Sequence, residues 1–493
     1  MKIGFDHQLY LKKQSEHIKK RISAFDNKLY LEFGGKLFDD YHAARVLPGF
    51  QPDSKLEMLS QLKDQTEIII VISSDSIENN KIRGDLGITY DDDVLRLIDA
   101  FRSKGFLVSG VVITQYSGEN GASQFRSKLQ DLGIQSYLHY EIEGYPSNVN
   151  HIVSDEGYGK NDYIQTTRPL VVITAPGPGS GKMATCLSQL YHENKRGIQA
   201  GYAKFETFPI WNLPLRHPVN IAYEAATADL NDVNMIDPFH LEAYEEATVN
   251  YNRDIEIYPV LNTMFEMILG KNPYKSPTDM GVNMAGYCIT DDSVCREASK
   301  QEIIRRYYQG LCDLKQGIGS RKTLFKLELL MKQGGITDDD RKVIQPALDR
   351  EVETGYPAVA IELSNGRIVT GKTSDLLGSS AAVLLNAIKE LGGIDHDLHL
   401  VSPDAIDPIQ TLKTSYLGSN NPRLHTDEIL IALSVSAAHC PTAKLALEQL
   451  PKLKSCQLHS TVILPTVDEK IFKKLGLHIT CEPKYQFNKV YHP

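Results

Sequence analysis

Continuous apolar runs rich in β-branched residues recur along this chain, separated by stretches of helical periodicity. Residues 68–72, 108–114 and 169–174 show almost no alternation between apolar and polar side chains. A strand with one wet face alternates; a strand covered on both faces does not. These runs therefore predict the central strands of a largely parallel sheet. Residues 91–101 read as a helix between two of them. Val94, Leu95, Ile98 and Phe101 share one face, and Asp91, Asp92 and Asp93 favour its N-terminus. Strand, helix and strand at this spacing make a βαβ unit. Residues 29–33 form a further short apolar strand, closed by Gly34-Gly35-Lys36.

Later segments extend the pattern. A helix is predicted over 183–195, and 241–314 turns helical. Tyr244, Ala247 and Tyr251 would share one face there, Leu261, Phe265 and Ile268 another, and Ile304, Tyr307, Tyr308 and Leu311 a third. Such stripes are the mark of core packing. Gly317-Ile318-Gly319-Ser320 reads as a joint. Beyond it, 359–363 and 367–370 form a hairpin with Asn365-Gly366 as its turn. Residues 379–391 read as a helix, and 429–435 and 460–464 as buried strands. A chain of 493 residues exceeds one ordinary core. The expected partition is an N-terminal α/β domain (1–165), a glycine-loop α/β unit packed with it (166–240), a helical region (241–325) and a C-terminal α/β domain (326–493).

Composition narrows the class. Apolar residues make up 42%, charged residues 23%, and the net charge is −9, the balance of a globular protein. A mildly acidic chain lacks the basic face that nonspecific nucleic-acid binding needs, so no nucleic-acid partner is expected. No run approaches the ~20 apolar residues of a membrane span. The first residues lack the apolar core of a signal peptide. A cytoplasmic protein with no membrane partner is the expectation. The cysteines are odd in number, sparse and without a Cys-x-x-Cys pair, so reduced thiols are expected and no structural zinc.

The strongest chemical signal is Ala175-Pro176-Gly177-Pro178-Gly179-Ser180-Gly181-Lys182-Met183. It follows a predicted strand and opens a predicted helix, the context of a phosphate-binding loop. Glycines let backbone N–H groups close around an anion, and the helix N-terminus adds partial positive charge. Gly177, Gly179, Ser180, Gly181 and Lys182 are thus the candidate cofactor-binding residues. The pattern departs from the usual one at Pro176 and at Met183, which stands where a Mg²⁺-binding hydroxyl belongs. Thr185 is too far around the helix to replace it; Ser180 is the alternative. A glycine-rich β–α turn that binds nothing has the same sequence.

The segment that follows is dense in polar and aromatic groups. It is similar to the dethiobiotin-synthetase-like branch of P-loop enzymes, in which a lysine on the next strand faces the phosphates. The resemblance implies that role for Lys204. Glu224 and His217 complete the catalytic candidates, and Glu224, Asp229 or Asp237 could hold a metal. Helix capping and surface charge explain these carboxylates equally well, and His217 and His240 equally suit structural roles.

The C-terminal region resembles a cytidine-deaminase-like fold in outline, with a hairpin leading into a helix. Zinc deaminases open that helix on a metal ligand and a glutamate, and carry Pro-Cys-x-x-Cys on the next. Here those places read Gly378-Ser379-Ser380-Ala381 and His439-Cys440-Pro441-Thr442-Ala443. The zinc ligands and the glutamate are missing, and no metal-ligand set is assigned.

Four strings identify a wider likeness: Leu31-Glu32-Phe33-Gly34-Gly35-Lys36-Leu37, Ala44-Arg45-Val46-Leu47-Pro48-Gly49-Phe50, the glycine loop, and Ala222-Tyr223-Glu224-Ala225-Ala226-Thr227-Ala228-Asp229-Leu230. Together the chain resembles a bacterial family known as domain of unknown function 1846. The resemblance implies a multidomain α/β protein with a helical insert, and assigns no residue a role. The expectation is a protein that binds a nucleotide or other phosphorylated small molecule, with ATP and Mg²⁺ as the cofactors of a ligase or transferase. The alternative is a non-catalytic metabolite-binding or regulatory protein. A homo-oligomer is expected on general grounds.

Overall fold

The computed structural model describes residues 2–34, 37–38, 40–83 and 86–486. Gly35 and Lys36, which close the first strand in the sequence, lie outside the described residues. The chain divides into two compact units, one of Lys2–Glu224 with Asn231–Arg296, the other of Ala225–Leu230 with Glu297–Pro493.

The first unit is built on a seven-stranded sheet. Its strands are β1 Leu29–Phe33, β2 Thr66–Ser73, β3 Leu107–Tyr116, β4 Ser136–Tyr140, β5 Leu170–Thr174, β6 Gly201–Phe205 and β7 Gly281–Val282. The spatial order is β7-β6-β1-β5-β2-β3-β4, and every ladder is parallel. The predicted apolar runs are thus its central strands. Tyr30, Ile69, Val71, Val112, Val171 and Ile173 are fully buried in its core. Helices such as Tyr90–Ser103 and Lys182–Lys195 supply the crossovers that parallel neighbours require. Strand β5 lies between β1 and β2, so the loop that follows it opens at the middle of the sheet.

Within 241–314 the pattern is helical but broken. Leu261, Phe265 and Ile268 are buried on the Asn252–Leu269 helix. Tyr244, Ala247 and Tyr251 do not share a helix face. The Pro238–Tyr244 helix stops at Glu245, which takes φ +57°, and Val249–Tyr251 pairs antiparallel with Asn234–Ile236.

The second unit holds a separate four-stranded sheet: β8 Ala358–Glu362, β9 Ile368–Lys372, β10 Gln457–Ser460 and β11 His478–Cys481. Its order is β9-β8-β10-β11. The β8–β9 hairpin is antiparallel, and Gly366 takes φ +81° in its turn. Gly371 lets the Ser379–Gly392 helix settle on β9, since a Cβ there would lie 2.2 Å from Val383 N. Residues 429–435 are not a strand; they belong to the Thr426–Ala437 helix, with Ile431 and Val435 about two-thirds exposed. Periodicity cannot separate a short apolar run in a strand from one in a helix. The local chemistry decides it: Glu428 reaches back to accept from His425 N at 2.7 Å. The predicted 460–464 strand instead ends at Ser460. Ser460 Oγ donates to Val462 O at 2.7 Å, a local bond that competes with the ladder.

All seven cysteines are free thiols, five of them buried.

Candidate functional site

The glycine loop has a conformation that only its sequence permits. Gly179 and Gly181 take φ +78° and +82°, the left-handed region that costs other residues strain. A Cβ on Gly177 would lie 2.2 Å from Tyr90 Oη, and one on Gly181 would lie 2.9 Å from Thr114 Oγ1. Two hydrogen bonds brace the turn. Ser180 Oγ donates to Gly177 O at 2.8 Å, and Thr114 Oγ1 donates to Ser180 O at 2.8 Å.

The Lys182–Lys195 helix begins directly after the loop, with Gly181 at its cap position and no side-chain cap bond. Its first-turn N–H groups have no intrahelical acceptor, and they carry the positive end of the helix dipole. Thr185 Oγ1 donates to Gly181 O at 3.0 Å and is buried, so its hydroxyl serves the helix.

Residues Gly179 to Ala184 line a cavity of about 930 Å³. The rest of its wall comes from the carboxyl ends of the parallel strands, where open α/β sheets bind ligands. Glu32 comes from β1, Asp75 and Glu78 follow β2, Thr114 and Gln115 end β3, and His139 and Tyr140 end β4. Glu119, Glu141, Glu143, Tyr145, Tyr158 and Asn161 complete much of the remainder. Gln115 takes φ +54° where the β3–β4 register shifts. Irregularities of this kind re-aim side chains beside functional sites.

The wall holds six carboxylates and one lysine. Burial pushes the His139 imidazole down to about 4, so it is neutral at neutral pH. Lys182 has no ion pair among the described residues. Several carboxylates hold local structure. Glu78 Oε1 accepts from Ala122 N at 2.9 Å, and Glu119 Oε2 from Ser117 N at 2.9 Å. Burial would raise the Glu119 carboxyl, but the hydrogen bond from Ser117 N holds it below the usual range. Glu32 is 7% exposed and accepts from Tyr202 Oη at 2.7 Å through Oε2.

The other sequence candidates do not line this cavity. Gly177 packs on Tyr90. Lys204, on β6, is paired with Asp254 and lies 2.9 Å from Glu206. Burial opposes its charge, and Asp254 and Glu206 restore it, so the ammonium titrates above its usual range. Burial pushes the Glu206 carboxyl up to about 7. His217 Nε2 lies 2.8 Å from Asp292, and its Nδ1 accepts from Val219 N at 3.3 Å. Burial, with Arg296 nearby, holds its imidazole below the usual value. Glu224 Oε2 accepts from Asn234 N at 3.4 Å. Asp237 caps the Pro238–Tyr244 helix through Phe239 N and His240 N, and also takes Thr278. His240 Nδ1 lies 2.8 Å from Ser276 Oγ. Asp229 belongs to the other compact unit. Among the described residues no group of three or more His, Cys, Asp or Glu side chains is disposed to hold a metal ion.

Sequence reading missed the carboxylate wall. One signal was there: Glu32 interrupts the apolar run Leu29-Tyr30-Leu31-Glu32-Phe33, and a charge inside a strand buried on both faces needs a partner or a task.

Comparison with known proteins gives the relationship. A family model described as domain of unknown function DUF1846, N-terminal, matches residues 3–335, and its C-terminal counterpart matches residues 339–491. The UPF0371 protein of Streptococcus thermophilus is 58% identical over 490 residues, covering 99% of each chain. UPF0371 proteins of Streptococcus uberis and Streptococcus pneumoniae show the same 58% identity over 490 residues and 99% coverage of each chain. Among the described residues no helix is long and apolar enough to cross a membrane.

Proposed function

The chain belongs to the DUF1846 family, and on that footing we propose that its glycine loop binds the phosphate groups of a nucleotide or other phosphorylated small molecule. One observation carries the reading. Lys182, without an ion pair among the described residues, stands at an uncapped helix N-terminus that opens on a large cavity at the carboxyl ends of a parallel sheet. On this reading the loop is P-loop-like. The N–H groups of Gly179 to Lys182 cradle the phosphate, Lys182 adds its charge, and the rest of the cavity takes the remainder of the ligand. A ligase or transferase using ATP with Mg²⁺ is the enzymatic form of the proposal. The C-terminal unit is read as a deaminase-like domain without zinc ligands, and no step is assigned to it.

A second reading has its own support. Met183 stands where a metal-binding hydroxyl is usual, and the Ser180 and Thr185 hydroxyls both donate to backbone carbonyls. That arrangement favours a binding or regulatory protein that does not turn its ligand over. Thermal unfolding with ATP, ADP and pyrophosphate, each with and without Mg²⁺, tests the shared claim. A ligand at a hundredfold its Kd stabilises the fold by about 2.7 kcal/mol, so an upward shift of the midpoint is expected. Unchanged midpoints at millimolar ligand would contradict both readings. Phosphate release or group transfer alongside binding would select the enzyme; binding without turnover would select the alternative.

A further inference from the structure

We infer that the ligand of this cavity is a nucleoside phosphate, with its base stacked on the ring of Tyr145. The inference rests on the phosphate-binding reading above and names the class of ligand.

The first observation is size. The cavity measures about 930 Å³. Pockets of about 300–1,000 Å³ take ligands of drug size, so a phosphate group held at the loop fills only one end and the ligand needs a body. Charge limits what that body is. Six carboxylates and one lysine line the wall, and a second anionic group would meet like charge. Ribose hydroxyls and base amino groups suit such a wall, since a carboxylate only accepts hydrogen bonds.

The second observation is the ring of Tyr145. Three tyrosines line the cavity: Tyr140, Tyr145 and Tyr158. Lys160 Nζ lies 5.1 Å from the ring centroid of Tyr140, and the Tyr116 ring packs on it at 6.1 Å. Tyr158 is fully buried and packs against Tyr191. Tyr145 is 44% exposed, and its ring has no aromatic or cationic partner among the described residues.

The third is that this open ring is held in place. Its hydroxyl is hydrogen-bonded to that of Tyr158. Its backbone lies in a braced turn. Tyr145 N donates to Ile142 O at 3.2 Å, and Ser147 N and Asn148 N both donate to Gly144 O at 2.8 Å. Gly144 takes φ +77°, and a Cβ there would lie 2.8 Å from Asn148 Cβ. An aromatic face fixed in this way loses little freedom when a flat ring settles on it. Every nucleobase has a π-face, so the platform takes a base without reading its edges. A phosphosugar carries the hydroxyls but no such ring.

Calorimetric titration with pyrophosphate, ribose 5-phosphate and AMP tests this on the wild-type chain and on Tyr145→Ala. Ribose 5-phosphate and AMP share the phosphate and the ribose and differ in the base. AMP should bind the wild type about tenfold more tightly than ribose 5-phosphate. In Tyr145→Ala that advantage should fall to about twofold or less, with the affinity for ribose 5-phosphate unchanged. In Tyr145→Phe the advantage should persist, because the ring remains. AMP binding no tighter than ribose 5-phosphate in the wild type overturns the inference, as does an undiminished advantage in Tyr145→Ala; binding of pyrophosphate then leaves the phosphate reading standing. A loss in Tyr145→Phe as complete as in Tyr145→Ala places the effect on the hydroxyl and overturns the stacking. No wild-type binding of any of the three overturns phosphate binding itself. If Tyr145→Ala does not fold, as judged by circular dichroism, Tyr145→Leu replaces it. Leucine keeps the bulk and removes the π-face, so the AMP advantage should fall several-fold, and an undiminished advantage overturns the assignment to Tyr145.

Discussion

Thr114 Oγ1 donates to the carbonyl of Ser180 at 2.8 Å, tying the end of β3 to the glycine loop across 66 residues of sequence. Both residues are buried. The loop is therefore held from outside as well as by its own Ser180–Gly177 bond. Thr114→Val keeps the shape and removes the donor, leaving a buried carbonyl unsatisfied. It should cost about 1–3 kcal/mol in urea unfolding and weaken ligand binding at the loop. Unchanged stability and affinity would show that the bond does not shape the loop.

Gly177→Ala should be more damaging than an exposed alanine has reason to be. Its Cβ would lie 2.2 Å from Tyr90 Oη and 2.6 Å from Tyr90 Cζ. Overpacking of this kind costs about 1–3 kcal/mol. Paired with Tyr90→Ala, it should cost less than the two single changes added together, because the double variant no longer has the clash. A double-mutant cycle in chemical denaturation measures the coupling, and strict additivity would argue against the contact.

His139 should make the fold acid-sensitive. Burial pushes its imidazole down to about 4, while in the unfolded chain it titrates near 6.5. Between these values the unfolded state binds the proton and the folded state does not. Stability present above pH ~6.5 is therefore lost as pH falls toward ~4, by up to about 3 kcal/mol. His139→Gln should flatten unfolding free energy across that window. An unchanged slope would show that other groups set it.

The C-terminal unit hangs on Arg341, which is 1% exposed and bonded to neutral acceptors. It donates to Thr480 Oγ1 at 2.9 Å, Gln457 Oε1 at 2.6 Å, Gln301 Oε1 at 3.3 Å, Leu458 O at 3.0 Å and His478 O at 2.7 Å. Arg341→Met removes all five of these bonds and should cost about 3 kcal/mol or more. Arg341→Lys should recover only part, since an ammonium cannot span the fork. Near-wild-type unfolding in Arg341→Met would remove the clasp from the account.

The sheet was legible because strands such as 68–72 and 169–174 are buried on both faces, so their β-branched runs carry almost no polar interruption. The loop was legible for a similar reason: Gly179 and Gly181 sit where only glycine is comfortable. Helix 426–437 was misread because an apolar run without charges fits either element, and its cap at His425 and Glu428 lies before the run. The cavity wall was not legible. Glu32, Asp75, Glu119 and Glu141 are far apart in sequence and meet only because parallel topology brings every carboxyl end to one edge. Lys204 looked free on the next strand; Asp254, fifty residues on, engages it.

The central claim is that Lys182 and the loop N–H groups bind phosphate. Isothermal titration of the wild-type protein and Lys182→Ala with ADP and pyrophosphate, in the presence of Mg²⁺, tests it most directly. A charge-assisted contact is worth about 1.5–3 kcal/mol, so Lys182→Ala should bind about tenfold or more weakly while unfolding like the wild type. Equal affinity in the two proteins, or no binding by the wild type at millimolar ligand, would contradict the claim.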